Sequence, residues 1–220
     1  MHLLALESAN EHCSVALFQH GTLHSLQHDA RSKMQTQVIL PMVDQAMQQA
    51  QLPLAQLSAI AFSRGPGSFS GVRINATVAQ ALAWANDLPV ISVSTLQALA
   101  QAAYRTLGLQ QVTAVIDARM NEVYLAHFQC DAQGIAQAIS EEQLLSYDVA
   151  RQHIRFALVG SGAILLDETT PSEQQNIMPT AQDIGTLALA QPTSQWLNAE
   201  HALPIYLRND AWKKIGEQKA

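Results

Sequence analysis

The chain is short of cysteine, of basic residues and of charge in general, and each shortage removes a class of function. Its two cysteines, Cys13 and Cys130, sit in separate strand-like runs and form no metal or redox pattern, so buried thiols are expected. Twelve lysines and arginines against eighteen acidic residues leave a net charge of −6, which argues against this chain alone gripping a nucleic-acid backbone. No apolar run is long enough to cross a bilayer, and the opening Met1-His2-Leu3-Leu4 reads as a strand rather than a signal peptide. A cytoplasmic protein is expected. A charged content of only 14% hints that part of the surface is covered by a partner. What is present is apolar: 48% of 220 residues suits one large domain or two small ones with adequate cores.

The glycines concentrate in Ser63-Arg64-Gly65-Pro66-Gly67-Ser68-Phe69-Ser70-Gly71-Val72-Arg73-Ile74, between a buried-strand pattern at 57–62 and a helical pattern at 72–84. Strand, glycine loop and helix is an arrangement in which backbone N–H groups can receive a phosphate. Yet the standard motifs are missing. A P-loop needs Lys-Ser or Lys-Thr after its last glycine, and Gly71 is followed by Val72. The dinucleotide fingerprint fails at Ser70, and a hydrolase elbow would need serine where Phe69 stands. Ser68 and Ser70 have no base that the sequence places beside them, and helix capping is their expected role.

Histidines at 20, 24 and 28 would share a helix face. Gly21 and the alternation of Thr22, His24, Leu26 and His28 read instead as a hairpin and a strand. On a strand His24 and His28 lie about 13 Å apart, too far for one ion. A solvated edge strand is expected, and no metal site.

The first half predicts strands at 2–7, 14–19 and 23–28, a helix at 36–51, a strand at 58–62 and a helix from about 71. A strand at 89–93 then leads into a helix whose Ser94 and Gln97 form a capping box. The second half repeats the order: strands at 112–117, 122–128 and 135–139, a helix near 148–154, a strand at 156–160, and helices at 163–166 and 181–190. The repeat is one of topology, with negligible identity. It predicts an α/β chain of two lobes, 1–100 and 101–203, with 204–220 returning to the first lobe.

The glycine segment closely resembles the signature R-G-P-G-S-F-T-G-[VL]-R-I of the bacterial TsaB family, also called YeaZ. Resemblance extends to Leu4-Ala5-Leu6-Glu7-Ser8-Ala9, Ile39-Leu40-Pro41-Met42-Val43, Leu88-Pro89-Val90-Ile91-Ser92-Val93-Ser94-Thr95-Leu96, Ile116-Asp117-Ala118-Arg119-Met120-Asn121-Glu122-Val123-Tyr124, Pro204-Ile205-Tyr206-Leu207-Arg208-Asn209 and Trp212-Lys213-Lys214. Arg64, Gly65, Pro66, Gly67, Ser68, Phe69, Gly71 and Arg73 are its signature-loop residues. The resemblance implies an actin-like ATPase (ribonuclease H-like) fold, two lobes of repeated βββαβα topology, no cofactor and no catalytic residue. It implies a scaffold for making threonylcarbamoyladenosine on tRNA, one that dimerises with the catalytic paralogue TsaD, which carries out the transfer. The group is transferred to N6 of the adenosine beside the anticodon in tRNAs reading codons that begin with A. The ATPase TsaE would join the larger complex, the chain would self-pair when alone, and tRNA would be met indirectly. The metal-binding H-x-x-x-H pair of the paralogue has no counterpart here.

Actin-like ATPases hold phosphate through an acidic residue and turn after the first strand. Here Glu7-Ser8-Ala9-Asn10 stands where most relatives have Asp-Thr-Ser/Ala-Thr. A second loop, Asp117-Ala118-Arg119-Met120-Asn121, also lacks glycine, so side chains obstruct backbone approach to a triphosphate. Glu7, Ser8, Asp117 and Arg119 thus mark a degenerate nucleotide cleft, with Asp117 and Arg119 expected to pair across the lobes. The competing reading is an ATPase or glycoprotease-like peptidase acting as a homodimer.

Two helices carry more apolar surface than one sheet needs. Val38, Ile39, Met42, Val43 and Met47 on the first, and Val72, Asn75, Ala76, Ala79 and Ala83 on the second, are the expected partner interface, with small residues allowing close helix approach. The resemblance also assigns TsaD pairing and self-pairing to these helices. Gln35, Asn75 and Thr77 depart from the family pattern and would lie on that interface. The basic residues Arg208, Lys213, Lys214 and Lys219 read as a solvated terminus.

Overall fold

Leu3, Leu4, Ala5 and Leu6 are all apolar and all fully buried, which places their strand at the centre of a sheet covered on both faces. The computed structural model describes residues 1–208. The chain runs β1 (His2–Glu7), β2 (Cys13–Gln19), β3 (Thr22–Asp29), α1 (Gln35–Gln49), β4 (Ala59–Ser63), α2 (Phe69–Ala85), β5 (Val90–Val93) and α3 (Thr95–Leu107). It continues with β6 (Gln111–Arg119), β7 (Glu122–Cys130), β8 (Ala136–Ala138), β9 (Gln143–Ser146), α4 (Tyr147–Arg151), β10 (Ala157–Val159), α5 (Ala163–Leu166), α6 (Ser172–Gln175) and α7 (Ala181–Ala190).

The first sheet has the order β3-β2-β1-β4-β5, with β1, β2 and β3 antiparallel and β1, β4 and β5 parallel. The second has the order β10-β6-β7-β8, with β9 also on β7. The first has the ribonuclease H-like plan expected for an actin-like protein, and the second repeats its parallel and antiparallel pairings in β10-β6-β7, with both β8 and β9 on β7. Leu197 bridges Val90 at the edge of the first sheet.

Helices α3 and α7 lie between the sheets. The largest core joins Leu3, Ala5, Phe18 and Ile91 of the first sheet to Val112, Ala126 and Phe128 of the second through Leu96, Leu99, Ile184 and Leu187. A lobe boundary at residue 100 therefore falls inside α3, which packs mainly on the second sheet, while α7 packs mainly on the first. Helices α1 and α2 cover the outer face of the first sheet over Leu4, Leu6, Val15, Leu17, Ile60 and Phe62. Helices α4 and α5 cover the outer face of the second.

Ser94 caps α3 by accepting the Gln97 N–H at 3.2 Å, but the reciprocal half of the box is absent. The Gln97 amide donates instead to Ala136 O at 2.8 Å, trading a local bond for one to β8. The short β9 and α6 were not foreseen, because four half-exposed residues carry no readable period. β3 is an exposed edge strand as the alternation predicted. Of the returning tail, residues 204–208 are described, and the rest, including Trp212 and the lysines at 213, 214 and 219, lies outside the described residues.

Candidate functional site

The turn after β1 and the glycine loop before α2 are pressed together. Ser8 donates its hydroxyl to Gly71 O at 2.9 Å, and the Ser68 N–H donates to Ala9 O at 2.8 Å. A Cβ on Gly71 would stand 2.0 Å from Ser8 O, and one on Gly67 would stand 2.4 Å from Ala9 O. Both glycines are therefore spent on protein backbone, not on a phosphate. Ser68 caps α2, accepting the Gly71 N–H at 3.3 Å. Ser68 Oγ and Ser70 Oγ face each other at 3.4 Å, and among the described residues neither hydroxyl meets a histidine or a carboxylate.

Glu7 ends β1 in complete burial. Its Oε1 accepts the Ala9 N–H at 2.7 Å and, more weakly, the Asn10 side-chain amide at 3.4 Å. Burial pushes its carboxyl up to about 7, against the pull of the Ser63 hydroxyl and the Ala9 and Asn10 donors. Asn10 also donates to Pro179 O at 3.0 Å, tying the turn to the segment that leads into α7.

The lobes are joined by residues other than the expected pair. Asp117 and Arg119 do form an ion pair, at 2.9 Å, but both lie in the β6–β7 hairpin. Arg119, Met120 and Asn121 take φ values of 63, 57 and 60°, so the tip coils left-handed and folds Arg119 back onto its own strand. Arg64 of the signature loop makes the crossing instead, a two-pronged contact with Glu142 at 3.1 and 3.3 Å. Arg208 adds a second tie, to Glu122 at 2.6 Å and to Ala118 O at 3.2 Å. Arg73 lies 3.4 Å from the Phe69 ring centroid and 4.9 Å from that of Tyr206, and donates to Phe69 O at 2.7 Å. Gly65 and Pro66 are buried beneath this segment, where the Ile205 N–H reaches Arg64 O at 2.8 Å. Glu142, Glu122 and the crossing role of Arg64 gave no sequence signal, since their partners are 78 or more residues away.

Nine of the ten expected interface residues face inward. Ile39, Met42, Val43, Met47, Val72, Asn75, Ala76, Ala79 and Ala83 are buried, most of them in the core beneath α1 and α2, and Val38 packs beside it. The wide apolar stripe is consumed largely by the chain's own sheet. The large apolar side chains of these helices that face outward are Leu40, 52% exposed, Phe69, 66% exposed, and Trp84, 71% exposed. Between α1, α2 and the segment after α1 runs an apolar groove of about 510 Å³, lined by Leu40, Val43, Met47, Leu52, Leu54 and Leu82.

Comparison with known proteins agrees with this architecture. The chain is 37% identical to the "tRNA threonylcarbamoyladenosine biosynthesis protein TsaB" of Escherichia coli, over 98% of each chain. It belongs to the TsaB family. The Haemophilus influenzae TsaB is 38% identical over 97% of this chain and 96% of its own. The solved structure of "YeaZ from Pseudomonas aeruginosa" superposes with a TM-score of 0.83 at 36% identity, covering 94% of this chain and 99% of that one. Residues 29–156 match the family described as "TsaD: tRNA N6-adenosine threonylcarbamoyltransferase".

Two departures from the TsaB pattern lie in the interior and not on a partner surface. Asn75 is fully buried and donates its amide toward Leu6 O, Ser63 O and Ser63 Oγ at 3.2, 3.1 and 2.7 Å. Gln35 is buried at the start of α1 and donates to Asn10 O and Glu11 O, each at 3.2 Å. Only Thr77 of the three is exposed. Among the described residues no three His, Cys, Asp or Glu side chains group to hold a metal ion, and no helix is long and apolar enough to cross a membrane.

Proposed function

We propose that this chain serves the biosynthesis of threonylcarbamoyladenosine in tRNA as a cytoplasmic, non-catalytic scaffold that pairs with a TsaD-type transferase. The observation that carries the reading is the seat of the glycine loop: Gly71 and Gly67 rest on the backbone of Ser8 and Ala9, so the glycines expected to admit a phosphate admit protein instead. This weighs against an actin-like ATPase. The lack of a base beside Ser68 or Ser70 weighs against a peptidase. The family names of its relatives supply the pathway. TsaE would join, and tRNA would be engaged, only through the assembled complex; the isolated chain would pair with itself through the same face.

The docking face in this reading is the outer surface of α1 and α2, where Leu40 lines the apolar groove and Trp84 stands exposed beside a separate pocket formed with Asp87, Leu88 and Asn198. Light scattering after size-exclusion chromatography of a mixture with TsaD from the same organism tests it. A one-to-one complex is expected, weakened about 100-fold in Leu40→Asp and in Trp84→Asp, with the folded monomer intact. Ala79→Asp is unsuitable, because Ala79 is fully buried and its loss tests folding. Full affinity in both variants would move the interface elsewhere. Nucleotide binding by the isolated chain that vanishes in Glu7→Ala would restore the ATPase reading.

A further inference from the structure

Sequence spacing groups His28 with His20 and His24, but the fold pairs it with His12. In the β2–β3 hairpin His28 stands opposite Ser14, and His12 lies two residues before Ser14, on the same face of the sheet. His12 Nδ1 and His28 Nε2 approach to 3.2 Å, with ring centroids 5.1 Å apart and the rings tilted by 55°. Without an ion, one ring donates its N–H to the other.

We propose that His12 and His28 form a two-histidine site for a divalent ion that prefers nitrogen ligands, zinc above all, and that this ion staples the entry of β2 to the edge strand β3. The spacing of the two nitrogens suits such an ion. Two Zn–N bonds of about 2.0–2.1 Å that span this gap meet at an angle of about 100–105°, near tetrahedral. On binding, each neutral ring keeps its one hydrogen on the other nitrogen, Nε2 of His12 and Nδ1 of His28. The two facing lone pairs then converge on the metal, with no net loss of a proton.

Both ligands are already in place. The His12 N–H donates to Asn10 Oδ1 at 2.7 Å, and Asn10 is tied to Pro179 O at 3.0 Å. Gln35 of α1 donates to the carbonyls of Asn10 and Glu11 just before His12, each at 3.2 Å. His28 is fixed by the β2–β3 ladder, and Ser14 opposite it accepts the Ala181 N–H at 2.8 Å. Ligands carried on a fixed backbone lose little freedom on binding, which gives a site of only two protein donors its affinity.

Water completes the coordination. Asp29, next to His28, commits its carboxylate to the Arg31 side chain and backbone N–H. Among the described residues no third His, Cys, Asp or Glu joins the pair, while His28 is exposed and His12 half-exposed. Two imidazoles discriminate against magnesium, which takes oxygen ligands. The other close ring pair, His2 with His20, meets edge to face with centroids 5.1 Å apart and no contact between ring nitrogens among the described residues. It offers no such bite.

Calorimetric titration of the untagged full-length chain with zinc chloride tests the site. One saturable event is expected, weakened at least about tenfold in His12→Ala and to a similar degree in His28→Ala, because the second imidazole acts as a tethered ligand at high effective concentration. His20→Ala and His24→Ala are expected to keep the wild-type affinity within about twofold, and magnesium chloride to give no event. Zinc is expected to raise the Tm of the wild type and not that of His12→Ala or His28→Ala, whose metal-free forms melt with the wild type. No saturable binding below millimolar zinc overturns the proposal. So does wild-type affinity in either His12→Ala or His28→Ala, since a single imidazole needs no pair. None of these readouts involves TsaD, so failure here leaves the scaffold reading standing.

Discussion

Gly71→Ala is expected to lose about 4 kcal/mol of unfolding free energy, among the largest effects of any single methyl added to this chain. The new Cβ would meet Ser8 O at 2.0 Å, Ser8 C at 3.0 Å and Ala9 Cα at 3.3 Å. All three are backbone atoms, so no side-chain rotation relieves the clash. The Ser8–Ala9 turn cannot retreat either, because Ala9 is bonded to Glu7 on one side and to Ser68 on the other. Gly108→Ala is the control: its Cβ would meet nothing within 4 Å, and only its φ of +68° is strained. That strain costs about 1 kcal/mol. Guanidinium denaturation of both variants separates the two terms. Equal midpoints for Gly71→Ala and Gly108→Ala would mean that the loop does not rest on the turn.

The second large effect is expected at Arg105. Its guanidinium makes two bonds, of 2.8 and 2.9 Å, to the fully buried carboxylate of Asp183, the third residue of α7. The Thr180 N–H and hydroxyl donate to the same carboxylate at 2.8 and 3.1 Å. Arg105→Met leaves Asp183 charged, buried and dependent on those two neutral donors. A loss of about 3 kcal/mol at neutral pH is expected, toward the lower end for a broken buried pair because the Thr180 donors remain. The double variant Arg105→Met/Asp183→Asn is expected to recover about half of it, since the uncompensated charge and not the missing bond is the main cost. Thermal or denaturant unfolding of the four-member cycle decides this. Strict additivity would show that the two groups do not interact. The pair matters to the architecture because it binds α3 to α7, the two helices shared between the sheets.

Much of the fold was legible because it is written in local rules. β1, β2 and β4 each hold an apolar run, Leu3–Leu6, Val15–Phe18 and Ala59–Phe62, the signature of strands buried on both faces. β3 alternates, as an edge strand must. Ser68 and Ser94 announced the starts of their helices by their capping chemistry. The glycine loop announced a close backbone approach, but not to what. A triphosphate and a neighbouring turn make the same demand for absent side chains, and only the packing of Gly71 on Ser8 tells them apart.

The interface residues show the same limit on a larger scale. Helical periodicity counts apolar positions around an axis; it cannot say whether a partner or the chain's own sheet will cover them. Ile39, Val43, Ala76 and Ala79 turned inward because the first sheet presents a continuous apolar face to both helices. Asn75 reads as a polar interruption of an apolar helix. In the interior it ties α2 to the ends of β1 and β4, where two carbonyls and a hydroxyl face its amide.

By itself the sequence determined the order and kind of the elements, the repeated topology and the family, since each depends on residues within a few positions of one another. The tertiary structure decided which faces remained free, which arginine joins the lobes and what the glycine loop packs against. Those outcomes depend on atoms brought together across 60 to 170 residues of chain, as Ser8 with Gly71, Arg64 with Glu142 and Asn10 with Pro179 show. Local propensity carries no information over such separations; burial and close packing do.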